Sequence, residues 1–275
     1  MIAPASGAVL LVGAGRMGGA LIKGWLAAKS FAAIHVIEPQ AADSLHALAD
    51  TGSITLHRSF DPPRLPPLDA VVLALKPQIL KGEPALLGAF GTTGALVLSI
   101  AAGITTAILR GGLKGGNPLV RAMPNTPGAI GQGITVLYAD SGITSENRTL
   151  AEKLTSALGE TLWLEDESLM DAVTALSGSG PAYIFLMAEA LAEAGRAQGL
   201  DATTAERLAR ATVSGAGALL SADSRAAAEL RKEVTSPGGT TEAALRVLVA
   251  QDGLTDLMRR AVAAATERGK ELGKG

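Results

Sequence analysis

The sequence predicts an α/β domain followed by an all-helical domain. Over the first part of the chain, short apolar runs alternate with helical segments, and the strand signal stops after Leu164. Strands that are apolar throughout, without polar alternation, are typical of a parallel sheet with helices on both faces. A length of 275 residues suits two domains. We therefore expect domains at residues 1–164 and 165–275.

Apolar runs and the breaks between them predict the elements of the first domain. Eight runs favour strands: Ala8–Val12, Ile34–Ile37, Ile54–Leu56, Ala70–Leu75, Leu96–Ser99, Leu119–Ala122, Ile134–Tyr138 and Thr161–Leu164. Amphipathic or alanine-rich helices are expected at Met17–Ala28, Ala41–Ala49 and Ser145–Leu158. The proline-rich segment Asp61–Leu68 cannot be a helix interior.

Helix caps indicate the organisation of the second domain. Ser179, with Pro181 just inside the helix, predicts a helix that ends at Gly199. Thr203 and Glu206 have the spacing of a capping box for the next helix. Further helices are expected at Arg225–Val234, Glu242–Ala250 and Leu254–Gly269.

The composition excludes several kinds of site and of binding partner. The chain has no cysteine and only three histidines, His35, His46 and His57. Disulfides, cysteine-bound metals and thiol nucleophiles are excluded, and neither a histidine-based triad nor a metal site is expected. A net charge of −2 offers no basic surface for nucleic acid or an anionic membrane. Because no leader or membrane-length apolar run is found, we expect a soluble cytoplasmic protein.

A glycine motif, GAGRMG at residues 13–18, follows the first strand and begins a helix. In such a loop the first glycine makes a tight turn, the second lets a pyrophosphate approach, and the third lets helix and strand pack closely. Helix N–H groups then bind the phosphates. The motif predicts dinucleotide binding.

Glu38 ends the second strand, twenty residues beyond Gly18. An acidic side chain there accepts from the ribose 2′-hydroxyl and repels a 2′-phosphate, so Glu38 favours NADH. The alternative is a solvated strand end before Pro39.

Two further strand ends are expected at the carboxyl edge of the sheet, beside the crevice in which the dinucleotide is expected to bind. Lys76-Pro77 follows the fourth strand, and Ala101–Gly103 follows the fifth. Small residues suit a surface against which a nicotinamide lies. Lys76 contacts ribose or substrate, or else is an ordinary exposed lysine before a proline-started helix.

Three loops suggest a substrate site. Asn125 stands between two prolines in MPNTP, where its amide can orient a substrate or cofactor, or where the loop is simply a rigid turn. The segment SGSGPAY at 177–183 opens a long helix. SPGGTT at 236–241 precedes a helix, so the N–H groups of Gly239, Thr240 and Thr241 can bind a carboxylate, the alternative being a turn with an N-cap.

In order, GAGRMG, ALKP, SIAAG, RAMPNTP, SGSGPAY and SPGGTT resemble the motif series of pyrroline-5-carboxylate reductase over almost the whole chain. The resemblance implies reduction of L-1-pyrroline-5-carboxylate to L-proline by NADPH or NADH, the final step of proline biosynthesis. It also implies a Rossmann-like dinucleotide-binding domain and an all-α dimerisation domain that interleaves with a partner. Family members form homodimers, often assembled into decamers of five dimers, with the active site where the domains meet.

The resemblance also implies residue roles. The cofactor-binding residues are Gly13, Gly15, Arg16, Met17, Gly18, Lys76, Pro77, Ala101 and Ala102. The substrate-binding residues are Gly238, Gly239, Thr240 and Thr241. The catalytic residues are Asn125 and Thr241, of which Thr241 hydrogen-bonds the imine nitrogen. Glu38 departs from the Ser, Thr, Asn or Arg common in the family and so argues against a preference for NADPH.

Other functions compete with this one. A related imine reductase or a hydroxyacid dehydrogenase has the same plan, but the latter needs a lysine or histidine base in the second domain. The only lysines there are Lys232, Lys270 and Lys274, none in a site-like loop. A non-catalytic dinucleotide-sensing protein has no reason to keep both MPNTP and SPGGTT. Because an imine is already electrophilic, hydride transfer depends mostly on orientation and needs no metal.

Overall fold

The structure is a computed structural model that describes residues 7–61, 64–82, 84–140 and 142–274. Residues 1–6, for which no leader is expected, and residues 62 and 63 of the proline-rich segment lie outside the described residues. Residues 7–178 and 266–274 form one compact unit, and Ser179–Ala265 form a second.

The first unit contains one eight-stranded sheet. Its strands are β1 (Ala8–Val12), β2 (Ala33–Ile37), β3 (Thr55–His57), β4 (Ala70–Leu73), β5 (Leu96–Ser99), β6 (Leu119–Met123), β7 (Gly133–Ala139) and β8 (Gly159–Leu164). Their order is β3-β2-β1-β4-β5-β6-β7-β8. Strands β1 to β6 are parallel, β7 runs antiparallel to β6, and β8 is parallel to β7. This is a doubly wound sheet, with its switch point between β1 and β4.

Helices surround the sheet and make up the second unit. Those of the first unit are α1 (Arg16–Ala27), α2 (Asp43–Asp50), α3 (Pro77–Gly82), α4 (Pro84–Phe90), α5 (Thr106–Leu113), α6 (Ser145–Thr155) and α7 (Met170–Val173). The others are α8 (Gly180–Ala197), α9 (Ala202–Ala222), α10 (Ala227–Glu233), α11 (Thr240–Leu248) and α12 (Leu254–Lys274), whose last residues belong to the first unit. None of the described helices is both long and apolar enough to cross a bilayer.

Both faces of the central strands are buried, as their apolar residues predict. Alternate residues of β1 enter two clusters: Val9 and Leu11 pack on the same side as Trp25. Leu10 and Val12 pack with Phe90 on the other side. The predicted α/β domain with helices on both faces is confirmed.

The expectation of a parallel sheet is right for β1 to β6, and β7, for which the sequence predicted no direction, runs antiparallel to β6. Only residues 124–132 separate β6 from β7, and a 3-10 turn at Thr126–Ile130 occupies most of them. A parallel connection needs a crossover of a dozen or more residues, so this short link reverses the chain. β8 pairs parallel to β7 after α6, which supplies such a crossover.

The predicted caps of the second unit are partly wrong. Asp201 caps α9 by accepting from the N–H of Thr204 at 3.0 Å, and Thr203 lies inside the helix. An aspartate two residues earlier is an equally good N-cap, so it fixes the start. Ser179 precedes α8 but makes no side-chain cap bond, because a π-helical turn at Thr174–Gly178 leads into the helix.

Other element ends also differ from the expectation. α12 continues past Gly269 to Lys274. The short helices α4 and α5 add to the predicted elements, and both contain glycine, which weakens helix propensity. The last strand ends at Leu164 as predicted, whereas the first compact unit extends to Gly178.

Candidate active site

The carboxyl ends of four parallel strands are joined at one edge of the sheet. The N–H of Gly13, after β1, donates to the carbonyl of Ile37 in β2 at 2.9 Å. The N–H of Ala74, after β4, donates to Val12 at 2.8 Å. The N–H of Ile100, after β5, donates to the carbonyl of Leu73 in β4 at 3.0 Å. The loops after these strands therefore form one continuous surface.

The three motif glycines meet three different steric demands. Gly13 has φ +91°, and a Cβ there would lie 2.8 Å from the carbonyl oxygen of Ala74. A Cβ on Gly18 would collide with the carbonyl oxygen of Gly13. At Gly15, by contrast, a Cβ would meet no atom within 4 Å. Only Gly15 faces open space, which is the room that a pyrophosphate needs beside the backbone.

The start of α1 suits an anion. Its N-cap is Gly15, so no side chain caps the first N–H groups of the helix. The first turn carries no acidic residue. The first N–H groups of a helix lack intrahelical acceptors and lie at the positive end of its dipole. Arg16 is exposed at this end, while Met17 packs against the apolar core. The residues present thus fit a dinucleotide phosphate group.

Glu38 is anchored to the glycine loop. Its Oε2 accepts from the N–H of Ala14 at 2.9 Å, and its Oε1 accepts from the N–H of Gln40 at 3.1 Å. The side chain is half-buried, so it is more than a solvated strand end. The two bonds place a negative charge where β2 ends beside the loop.

The ends of β4 and β5 supply the other predicted cofactor residues. Lys76 is exposed, and its carbonyl accepts from the N–H of Ile79 at 3.0 Å, so it begins α3 with Pro77 at the first helical position. After β5, Ala101 is buried and Ala102 is exposed. Gly103 then turns the chain with φ +70°.

Asn125 holds the loop after β6 in place. Its Oδ1 accepts from the N–H of Ile134, the second residue of β7, at 3.0 Å. The Nδ2 group has no hydrogen-bond partner among the described residues. The side chain therefore stabilises the turn through its oxygen and retains donors on its nitrogen, which reconciles the two interpretations of MPNTP.

A cavity of about 450 Å³ adjoins the same edge of the first unit. Its lining includes Pro77, Ala102, Asp171, Thr174, Arg268 and Leu272. One wall is the end of α12, held by a 2.9 Å hydrogen bond from Lys81 Nζ to the carbonyl of Leu272. Two predicted cofactor residues thus border a cavity that the sequence did not indicate.

An ion pair with a buried arginine, also not predicted, links β6 to the segment that follows β8. Arg121 in β6 is 4% exposed, and its Nη1 lies 2.9 Å from Glu167 Oε1. Glu167 also accepts from the N–H of Thr106 at 2.8 Å and from its hydroxyl at 2.6 Å. A single arginine inside the apolar run LVRAM was the signal for this pair. The pKa of Tyr138 is raised above its ordinary value, mainly by burial and then by the carboxylates of Glu167 and Asp140.

The second unit carries the predicted carboxylate loop. Gly238 has φ +70°, and its N–H donates to Glu242 Oε2 at 2.7 Å. The N–H of Gly239 donates to the carbonyl oxygen of Ser236 at 3.0 Å. Gly239 is the N-cap of α11, which leaves the N–H groups of Thr240 and Thr241 in the unpaired first turn.

Two histidines of the first unit contact each other. His35 Nδ1 and His57 Nε2 are 3.0 Å apart on neighbouring strands β2 and β3. Among the described residues, no group of three or more His, Cys, Asp or Glu side chains is arranged to hold a metal.

The doubly wound sheet, the glycine loop with its open position and the following helical unit define a dinucleotide-dependent oxidoreductase of two domains. The chain belongs to the pyrroline-5-carboxylate reductase family. The family model for pyrroline-5-carboxylate reductase dimerisation matches residues 167–272. The model for coenzyme F420-dependent NADP oxidoreductases matches residues 8–103.

Pyrroline-5-carboxylate reductases from other organisms match this chain over nearly its full length. The pyrroline-5-carboxylate reductase of Pseudomonas aeruginosa is 40% identical over 264 residues, which cover 96% of each chain. The solved structure of the Coxiella burnetii reductase matches 98% of this chain and 100% of its own, with 36% identity and a TM-score of 0.89. The structure of the Plasmodium falciparum pyrroline carboxylate reductase, solved with NADP bound, matches 97% of this chain and 98% of its own, with 26% identity and a TM-score of 0.78.

Proposed function

We propose that the protein reduces L-1-pyrroline-5-carboxylate to L-proline with a nicotinamide dinucleotide, the last step of proline biosynthesis. The observation that carries this proposal is the opening at Gly15, on a chain that shares 40% identity with a pyrroline-5-carboxylate reductase over 96% of its length. That opening provides the room that the reducing cofactor requires.

The proposed cofactor is NADH in preference to NADPH. Glu38 carries the argument, because two backbone N–H groups hold its carboxylate beside the loop after β1. A carboxylate held there accepts from a ribose hydroxyl and repels a 2′-phosphate. The structure of the P. falciparum relative has NADP bound, and Glu38 is the residue proposed to make this chain prefer NADH.

The proposed cofactor surface continues along the sheet edge. Gly13, Gly18 and Met17 shape the loop, and Arg16 lies exposed where α1 begins. Lys76 and Pro77 after β4, with Ala101 and Ala102 after β5, are proposed to border the ribose and nicotinamide. The bound nicotinamide supplies the hydride that the reaction requires.

The proposed substrate residues bind and orient a cyclic imine carboxylate. In the second unit, the N–H groups of Thr240 and Thr241, with the backbone of Gly238 and Gly239 shaping the turn, are proposed to receive the carboxylate. The Thr241 hydroxyl is proposed to hydrogen-bond the imine nitrogen. Asn125 is proposed to orient the reactants through its amide nitrogen. Orientation alone is worth up to about 7–11 kcal/mol in favourable cases, so no strong acid is required.

The protein is a homo-oligomer by family, and we propose a dimer assembled further into a decamer of five dimers. Support comes from large apolar side chains on helices of the second unit, including Phe185 at 64%, Leu186 at 62% and Val247 at 72% exposure. Surfaces of this kind are typical of subunit interfaces. Sedimentation velocity of the purified protein distinguishes dimer from decamer.

The activity is tested by adding L-1-pyrroline-5-carboxylate to the protein with each reduced cofactor. Loss of reduced-cofactor absorbance and appearance of proline by mass spectrometry are expected. The matched control is 1-pyrroline, which lacks the carboxylate and is expected to react poorly. Cofactor binding without turnover would favour the dinucleotide-sensing alternative.

A further inference from the structure

We propose that Glu167 is a positioning residue that fixes two active-site loops relative to each other, through Thr106 and Arg121. This inference rests on the proposed function, because it assigns these three side chains a role in hydride transfer. All three residues belong to the first compact unit.

One arm of the cluster reaches the loop proposed to border the nicotinamide. Thr106 is the first residue of α5 and lies four positions after Ala102. Its N–H and hydroxyl donate to the two oxygens of Glu167, at 2.8 and 2.6 Å. A carboxylate at this point satisfies a helix N–H that has no intrahelical acceptor. Glu167 thereby fixes the point where the loop enters α5.

The other arm reaches the asparagine loop. Arg121 lies in β6, four positions before Asn125, and its Cα pairs with Ser99 at the end of β5. Its Nη1 lies 2.9 Å from Glu167, and its side chain is only 5% exposed. A buried guanidinium needs a charged partner, and Glu167 is its only salt-bridge partner among the described residues. The pair therefore holds Glu167 over the strand that leads to Asn125.

The low exposure of this pair, 5% for the Arg121 side chain and 21% for that of Glu167, separates it from ordinary surface ion pairs. Glu165, two positions earlier, contacts Arg148 at 3.9 Å and is 86% exposed. Glu165→Gln removes a neighbouring carboxylate without touching either loop, which makes it the matched control for Glu167→Gln. Exposed pairs of this kind contribute little.

The decisive experiment compares Glu167→Gln with Glu165→Gln in the full-length protein. We expect kcat of Glu167→Gln to fall by roughly 10- to 100-fold, as expected for misplaced reactants. The dissociation constant for NADH should stay close to that of the unsubstituted protein, because the glycine loop is untouched. With cofactor deuterated at the transferred position, the isotope effect on kcat should rise, and Glu165→Gln should match the unsubstituted protein throughout.

Thr106 provides a milder test if Glu167→Gln fails to fold. Thr106→Val removes the 2.6 Å hydrogen bond and keeps the side-chain shape, and it should lower kcat and raise the isotope effect. Thr106→Ser restores the hydroxyl and should restore both values.

The inference is overturned if kcat and the isotope effect are unchanged in folded Glu167→Gln, or if kcat falls only with the folded fraction while the isotope effect stays constant. For the Thr106 pair, equal behaviour of Val and Ser overturns it. The emission of bound NADH gives a readout without turnover, and it should shift in Glu167→Gln. An inactive unsubstituted protein would contradict the proposed function, while an unshifted emission would contradict the role of Glu167.

Discussion

The carboxylate of Glu38 accepts a hydrogen bond from the backbone N–H of Ala14 across 2.9 Å. The end of β2 is thereby attached to the loop after β1, 24 residues earlier in the chain. The glycine loop consequently carries a fixed negative charge at the position where cofactors with and without a 2′-phosphate differ.

Replacing that charge should change cofactor preference. Glu38→Ser removes the carboxylate, so the ratio of kcat/KM for NADPH to that for NADH should rise roughly tenfold or more, equivalent to about 1.4 kcal/mol. Steady-state kinetics with both cofactors measures the ratio. Asp43→Asn, an exposed carboxylate at the start of α2, is the control. An unchanged ratio in Glu38→Ser would mean that Glu38 does not contact the ribose.

The glycines of the loop should separate binding from stability. A Cβ at Gly15 meets no protein atom, so Gly15→Ala should leave Tm unchanged while weakening cofactor binding roughly tenfold, about 1.4 kcal/mol. A Cβ at Gly18 collides with the backbone of Gly13, so Gly18→Ala should cost roughly 1–3 kcal/mol of stability. Thermal unfolding and cofactor titration measure the two effects, and normal cofactor affinity in Gly15→Ala would contradict the assigned phosphate site.

The hydroxyl of Thr241 should matter for turnover more than for cofactor binding. Thr241→Ala should lower kcat roughly 100-fold, the scale expected when one aligned donor is lost from a transition state. Cofactor affinity should remain near that of the unsubstituted protein. Thr204→Ala, on the exposed surface of α9, serves as the control. A collapse of cofactor binding with intact turnover at saturation would refute the role of Thr241.

Acid should destabilise the protein through the histidine pair. The pKa of His35 is lowered below its ordinary value of 6.5, mainly by burial and then by the neighbouring His57. Burial also lowers the pKa of His57, with Asp61 opposing the shift and Arg64 adding to it. Below about pH 6.5 the histidines of the unfolded chain bind protons that those of the folded chain do not. The stability that the unprotonated pair contributes is therefore fully present above that pH and is lost as the pH falls.

His57→Gln tests this contribution. It should flatten the fall of Tm between about pH 7.5 and 5.5, the range in which histidine titrates. His46→Gln, at an exposed position of α2, should leave the curve unchanged. Parallel curves for His57→Gln and the unsubstituted protein would show that the pair does not contribute.

The sequence predicts most of the sheet because its strands are buried on both faces and therefore uniformly apolar, as in β1. The same uniformity hides strand direction, since a buried run such as β7 looks alike in either orientation. Arg121 and Glu167 are 46 residues apart, so no local spacing connects them. Asn125 could be singled out by its flanking prolines, whereas its bond to Ile134 depends on how β7 folds back.

Transfer of deuterium from the cofactor to the substrate tests the central claim most directly. With NADH deuterated at the transferred C4 position, L-1-pyrroline-5-carboxylate should give L-proline that carries one deuterium at C5, the former imine carbon. Mass spectrometry and NMR of the product measure this transfer. Unlabelled proline, or no proline with either cofactor, would contradict direct hydride transfer by this protein.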